Sequence, residues 1–257
     1  MKKHEIQTPL LNYLNATRDI SLLLKSHIEL FEPESKIENG IIMCKKNINS
    51  IYLQSAYVLI ATSFEAFIES SLKESFLLII NNTNFQKNTS TELKKYICQR
   101  LKNDKNEIAA WQLVGDNLSD YLIKELLHAE SSPILKLNSP NSKNINNLFN
   151  LYLGIEKITD CLYWEGNVAI WDNEFSVDFL DSFIKTRGGI AHGNNSENKV
   201  NLITLLVTQK IITQFVYLIN NKIVELLATK YNIIDWVEIM PLPVEDWDYI
   251  ANQVFGN

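Results

Sequence analysis

The segment Ile184-Lys185-Thr186-Arg187-Gly188-Gly189-Ile190-Ala191-His192-Gly193 sets an arginine before a histidine with four residues between them. Arg187 continues an apolar stripe that includes Phe183 and Ile184. A guanidinium on such a stripe needs an anionic partner, either a carboxylate or a phosphate. Histidine is the side chain best suited to exchange a proton near neutrality. Two readings of the pair stand open on these residues alone. In one, Arg187 is paired with a buried carboxylate such as Glu65, and His192 complements the dipole at a helix C-terminus. In the other, the guanidinium holds a phosphate while the imidazole moves a proton.

Positioning the pair falls to one helix. Asp172, Asn173 and Ser176 are plausible N-caps for it, and Phe175, Phe179, Leu180, Phe183 and Ile184 supply its apolar face. Residues five apart on an ideal helix point about 140° away from each other. His192 can therefore join Arg187 only where the helix ends or loosens. Gly188 and Gly189 each weaken a helix by about 1 kcal/mol relative to alanine, and Gly193 with Asn194 offers a stop. The expectation is a frayed helix end that brings arginine and histidine together.

The rest of the chain reads as helical. It has 257 residues, 46% hydrophobic and 21% charged, with only 8 Gly and 6 Pro, too few turn residues for a sandwich or barrel. Helices are predicted over about 10–31, 49–80, 91–102, 108–113, 118–129, 144–153 and 197–230. The run 49–80 is apolar nearly all round, as a central helix should be, with Glu65 in its middle. The turn at Glu38-Asn39-Gly40 follows the first helix, residues 131–143 form a loop, and 163–172 fits no simple pattern. The whole chain, 1–257, is read as a single domain with its core at about 46–230 and an acidic tail, 231–257, packed on the body.

Other chemistry finds little support. Cys44, Cys98 and Cys161 form neither a disulfide framework nor a zinc pattern, as in a reducing cytoplasm. His4, His27 and His128 lack neighbours at metal-ligand spacing. Glu65 and Glu69 stand one helical turn apart, but no Glu-x-x-His accompanies them, which argues against a di-iron bundle. No glycine-rich loop could cradle a phosphate. The N-terminus carries no signal peptide, and polar residues interrupt the apolar runs near 56–68 and 203–219, so no membrane span is expected.

Arg187 to Gly193 resembles the Arg-x4-6-His motif of the HEPN superfamily, the all-helical "higher eukaryotes and prokaryotes nucleotide-binding" domains. The form R-x-x-I-A-H-G is close to that superfamily's commonest version. Ser63-Phe64-Glu65-Ala66-Phe67-Ile68-Glu69 resembles the aromatic segment with a central glutamate in its larger prokaryotic members, and residues 144–154 are similar to their middle helix. The resemblance implies an all-α, antiparallel HEPN-like bundle with additional short helices and a C-terminal tail. It further implies a cofactor-free, metal-independent endoribonuclease, acting in the cytoplasm as a toxin or antiphage-defence effector. Arg187 and His192 would be catalytic and Glu65 and Asn194 supporting. The implied partners are RNA, a second copy of the chain that completes a composite active site, and an antitoxin or defence-partner protein. One position departs from the pattern. Gly188 stands where many active members carry Asn or Asp, which favours the alternative of a non-catalytic HEPN dimerisation or nucleotide-binding module.

The formal net charge of -6 argues against a protein that coats nucleic acid non-specifically, but the charge is unevenly spread. Six basic residues from Lys87 to Lys105 oppose only Glu92 and Asp104, while six acidic residues from Glu225 onward oppose only Lys230. Residues 1–224 are thus near neutral, which leaves room for a focused RNA-binding cleft.

Overall fold

The computed structural model describes residues 8–31, 36–38, 41–43, 50–82, 90–103, 123–124, 137, 139–165, 170–193 and 200–233. Among them lie six α-helices: α1 (Thr8–Phe31), α2 (Ser50–Asn82), α3 (Thr91–Asn103), α4 (Ser142–Leu153), α5 (Asn173–Ala191) and α6 (Leu202–Tyr231). The architecture is all-α. Two short antiparallel ribbons accompany the helices, β1 (Lys36–Glu38) with β2 (Ile41–Met43) and β3 (Trp164–Glu165) with β4 (Ile170–Trp171).

α2 is the axis of the molecule. It packs against α1, α4, α5 and α6, and Ile60, Phe64, Phe67, Ile68, Leu72 and Phe76 along it are fully buried. Its 33 residues contain no Gly or Pro, so nothing interrupts the backbone ladder. Polar residues are accommodated because Ser55, Thr62, Ser63, Ser70 and Ser75 donate their hydroxyls back to the carbonyl four residues earlier. α1 presents Leu10, Tyr13, Thr17, Ile20 and Leu24 to the core, spaced by three and four. The Tyr13 ring meets Phe67 edge-on, and its hydroxyl lies 3.2 Å from Thr213 Oγ1 on α6. That single side chain ties three helices together.

By length and composition α2 and α6 could each cross a membrane, contrary to the expectation that interrupting polar residues preclude this. In this fold they pack against each other inside the bundle, as core helices of equal apolarity do.

Local chemistry accounts for the boundaries. Asn141 caps α4 by accepting the Asn144 N–H at 2.9 Å, and Gly154 ends it with φ 70°. α6 begins at Leu202 rather than near 197. Asn201 accepts the Thr204 N–H at 2.8 Å, and Val200 and Leu205, at the two positions of a hydrophobic staple, are both buried. Asn232, with φ 54°, closes the same helix. The turn expected at Glu38-Asn39-Gly40 falls, at Asn39 and Gly40, outside the described residues; β1 and β2 pair antiparallel, Glu38 opposite Ile41. The stretch 163–172 holds the β3–β4 ribbon, where Trp164 and Trp171 stack at 4.9 Å with planes 14° apart. Apart from residues 123–124, the helices expected at 108–113 and 118–129 fall outside the described residues, as does the tail beyond Ile233.

Candidate active site at the end of α5

α5 is fixed at both its start and its middle. Asp172 caps it by accepting the Phe175 N–H at 2.8 Å. Asn173 donates to the Thr159 carbonyl, and Asn146 of α4 exchanges two hydrogen bonds with Thr159. About two turns further on, the Asp181 carboxylate accepts both the backbone N–H and the hydroxyl of Ser142, at 2.7 and 2.8 Å. Asp181 therefore serves as a second cap for α4 while clamping α4 to α5. Near the site, Tyr57 of α2 packs its ring 5.1 Å from that of Phe183 and hydrogen-bonds Thr186. Burial pushes the Tyr57 hydroxyl up to about 12, with the Thr186 hydrogen bond pulling the other way.

Arg187 faces α2. Its Nη2 lies 3.4 Å from Glu65 Oε2, and the two side chains are only 27% and 17% exposed. At 3.4 Å this contact is long for a charge-assisted hydrogen bond. Burial raises the Glu65 carboxyl above its ordinary value, and the neighbouring guanidinium partly opposes that rise. Glu69, one turn along α2, is raised as well, first by burial and then by the negative charge of Glu65. Among the described residues Arg187 is the only cation paired with Glu65, and Glu69 has none.

The expected loosening between arginine and histidine is absent. α5 runs unbroken through Gly188 and Gly189 to Ala191, and the His192 N–H still bonds the Gly188 carbonyl at 3.1 Å. Only Gly193, at φ 72°, leaves the right-handed region and stops the helix. Two glycines lower helix propensity by about 2 kcal/mol in sum, but packing of Phe183 and Ile184 with an intact hydrogen-bond ladder outweighs that cost here. Arg187 and His192 therefore project about 140° apart within one chain. Arg187 turns toward Glu65, while His192 is exposed at the helix stop. Asn194 lies outside the described residues.

Of the residues marked from sequence, Arg187 and Glu65 are together and His192 stands apart from their line. Sequence reasoning missed Asp181, whose partner Ser142 is 39 residues away, and took Glu69 only as a metal-ligand candidate. Among the described residues no group of three or more His, Cys, Asp or Glu could hold a metal ion.

An all-helical bundle in which a helix packed on the central one ends in an Arg-x4-His motif is a HEPN-type domain. Residues 12–225 match the family model described as RiboL-PSP-HEPN, and the chain belongs to that family. HEPN-family domains serve as ribonucleases or as nucleotide-binding modules. Neither the curated proteins nor the solved structures include a match to this chain.

Proposed function

We propose that this HEPN protein is a metal-independent endoribonuclease, acting in the cytoplasm as a toxin or antiphage-defence effector. The observation that carries the reading is Arg187. A guanidinium held at 3.4 Å by one partly buried carboxylate, on the same helix as an accessible histidine at its stop but on another face, is poised to exchange that carboxylate for a phosphate. A phosphodiester offers bidentate acceptors that match the guanidinium better than a long single contact does.

In this mechanism Arg187 binds the scissile phosphate and stabilises the charge that develops on its non-bridging oxygens. An imidazole takes the proton of the ribose 2′-hydroxyl, the 2′-oxygen attacks phosphorus, and the 5′-oxygen leaves with a proton supplied by an acid. The products are a 2′,3′-cyclic phosphate and a 5′-hydroxyl. One His192 serves poorly as both base and acid. A homodimer that presents two Arg187–His192 motifs to one cleft supplies both roles, and Glu65 positions Arg187 until the phosphate takes its place. An antitoxin or defence-partner protein would hold the activity in check.

Purified protein is expected to cleave RNA in EDTA and to yield cyclic-phosphate ends. His192→Ala and Arg187→Ala are expected to lower the rate by at least about 100-fold. Full cleavage by His192→Ala would remove the site from this position.

A second reading is favoured by two observations at the same place, the occupation of Arg187 by Glu65 and the presence of Gly188 in place of a polar residue. It is a non-catalytic HEPN module that dimerises or binds a nucleotide. Expression in a bacterial host separates the two. Growth arrest that Arg187→Ala or His192→Ala relieves supports the nuclease, and growth unaffected by the wild-type chain supports the module.

A further inference from the structure

We infer that the outer face of α3 is a docking ridge for the phosphate backbone of RNA, remote from Arg187. This rests on the RNA-cutting reading above and names how that site would acquire its substrate.

The helix is built as a rigid edge. Ser90 caps it by accepting the Leu93 N–H at 3.0 Å, and the same hydroxyl donates to the Leu151 carbonyl of α4 at 2.8 Å. Leu93 is fully buried, and Tyr96 and Ile97 pack against the core. These three residues take the inner face, so the outward positions carry Lys94, Lys95, Gln99 and Lys102, all exposed. Among the described residues the carboxylate in ion-pair contact with them is that of Glu92, which holds Lys95 at 2.8 Å. A further cation joins at the start of the helix. A Cβ at Gly154 would stand 3.2 Å from Ser90 Cβ and 3.5 Å from Lys230 Nζ, so the Lys230 ammonium lies beside the first turn of α3. In a chain of net charge -6 this is a concentration of positive charge on an edge fixed by packing. Little ordering entropy is lost when such an edge meets an anion.

Separation from Arg187 follows from α4. Its first residue, Ser142, is clamped to Asp181, while its C-cap, Gly154, meets α3. Asn146 and Asn173 both bond Thr159, so α4 and α5 run antiparallel. Helical rise then places the start of α3 on the order of 25 Å from Arg187. Only a strand long enough to span that separation reaches both places. The ridge is thus a selector for length: it strengthens binding of long RNA and leaves a tetranucleotide indifferent. Its contacts are to phosphates, so they add salt-dependent affinity without base preference.

The test measures binding in the His192→Ala background, so that cleavage does not interfere. The probes are a fluorescent 30-nucleotide unstructured RNA and a tetranucleotide, titrated at several salt concentrations. The ridge variant is Lys94→Gln, Lys95→Gln, Lys102→Gln. A control with the same charge change elsewhere is Arg18→Gln, Lys25→Gln, Lys222→Gln. The ridge variant is expected to bind the long RNA about 10-fold or more weakly than the control, with the slope of log affinity against log salt reduced by about 2. Tetranucleotide binding is expected to match between the two. Equal long-RNA binding and equal slopes in both variants overturn the ridge even where the otherwise unmodified chain cleaves RNA. Loss of binding in the ridge variant alone, from a chain that never cleaves, keeps the ridge and overturns the nuclease reading. A chain that neither binds nor cleaves RNA overturns both.

Discussion

Glu65 and Glu69 lie on one face of α2 and are both held above the ordinary carboxylate range, chiefly by burial. Arg187 offsets part of that effect at Glu65. At Glu69 the nearby Glu65 charge adds to it. A carboxyl whose folded value is raised binds its proton more tightly folded than unfolded. Its stabilising contribution is complete below the unfolded value and is lost as pH rises through the folded one. Ionised Glu69 is therefore a cost near neutrality. Glu69→Gln is expected to raise the urea midpoint at pH 7.5, and the gain should vanish near pH 4, where the native carboxyl is already protonated. Urea titrations at the two pH values check this; an unchanged or lower midpoint at pH 7.5 would contradict it. Removing Glu65 is a different matter, because it strips Arg187 of its one observed anionic partner.

At the scale of elements, α5 carries the site, and its position depends on contacts far along the chain. Asp181→Ala removes both acceptors of Ser142 and is expected to cost about 2 kcal/mol. That corresponds to a thermal midpoint lower by roughly 4–8 °C for a chain of this size. Asp181→Asn, which keeps one acceptor, should recover part of the loss. Gly188 behaves oppositely. It is helical, and a Cβ there would meet nothing within 4 Å. Gly188→Ala should therefore stabilise the protein by about 1 kcal/mol, and a thermal melt would show it. These two positions mark how much could be read from sequence. The N-cap at Asp172, the inward arginine and its Glu65 partner were legible, because caps and stripes are local patterns. The unbroken helix through Gly188-Gly189 was not, because propensity is a weak prior that tertiary packing overrides. Asp181 gave no signal, since its partner sits on another helix. The β3–β4 ribbon escaped because strands of two residues have no period, and what defines the ribbon is the stacking of Trp164 on Trp171.

At the scale of the whole molecule, an unbroken α5 changes what the proposed reaction requires. Arg187 and His192 diverge by about 140° on one chain, so bringing two imidazoles and a guanidinium to one phosphate calls for a second copy. The dimer should appear in light scattering at about 59 kDa, twice the 29.6 kDa of one chain. Mass alone does not show that the cleft is shared, whereas a mixing experiment does. Wild type and His192→Ala chains are unfolded together, refolded at varied ratios and assayed at constant total protein. If each cleft needs both histidines, only dimers of two wild-type chains are active, and an equal mixture retains about one quarter of the full rate. If each chain works alone, the same mixture retains about one half, and activity falls in a straight line with the wild-type fraction. The composite site predicts the quadratic curve. A straight line would confine catalysis to one protomer, and α5 would then have to loosen at Gly188-Gly189 when RNA binds, for His192 to reach the phosphate that Arg187 holds.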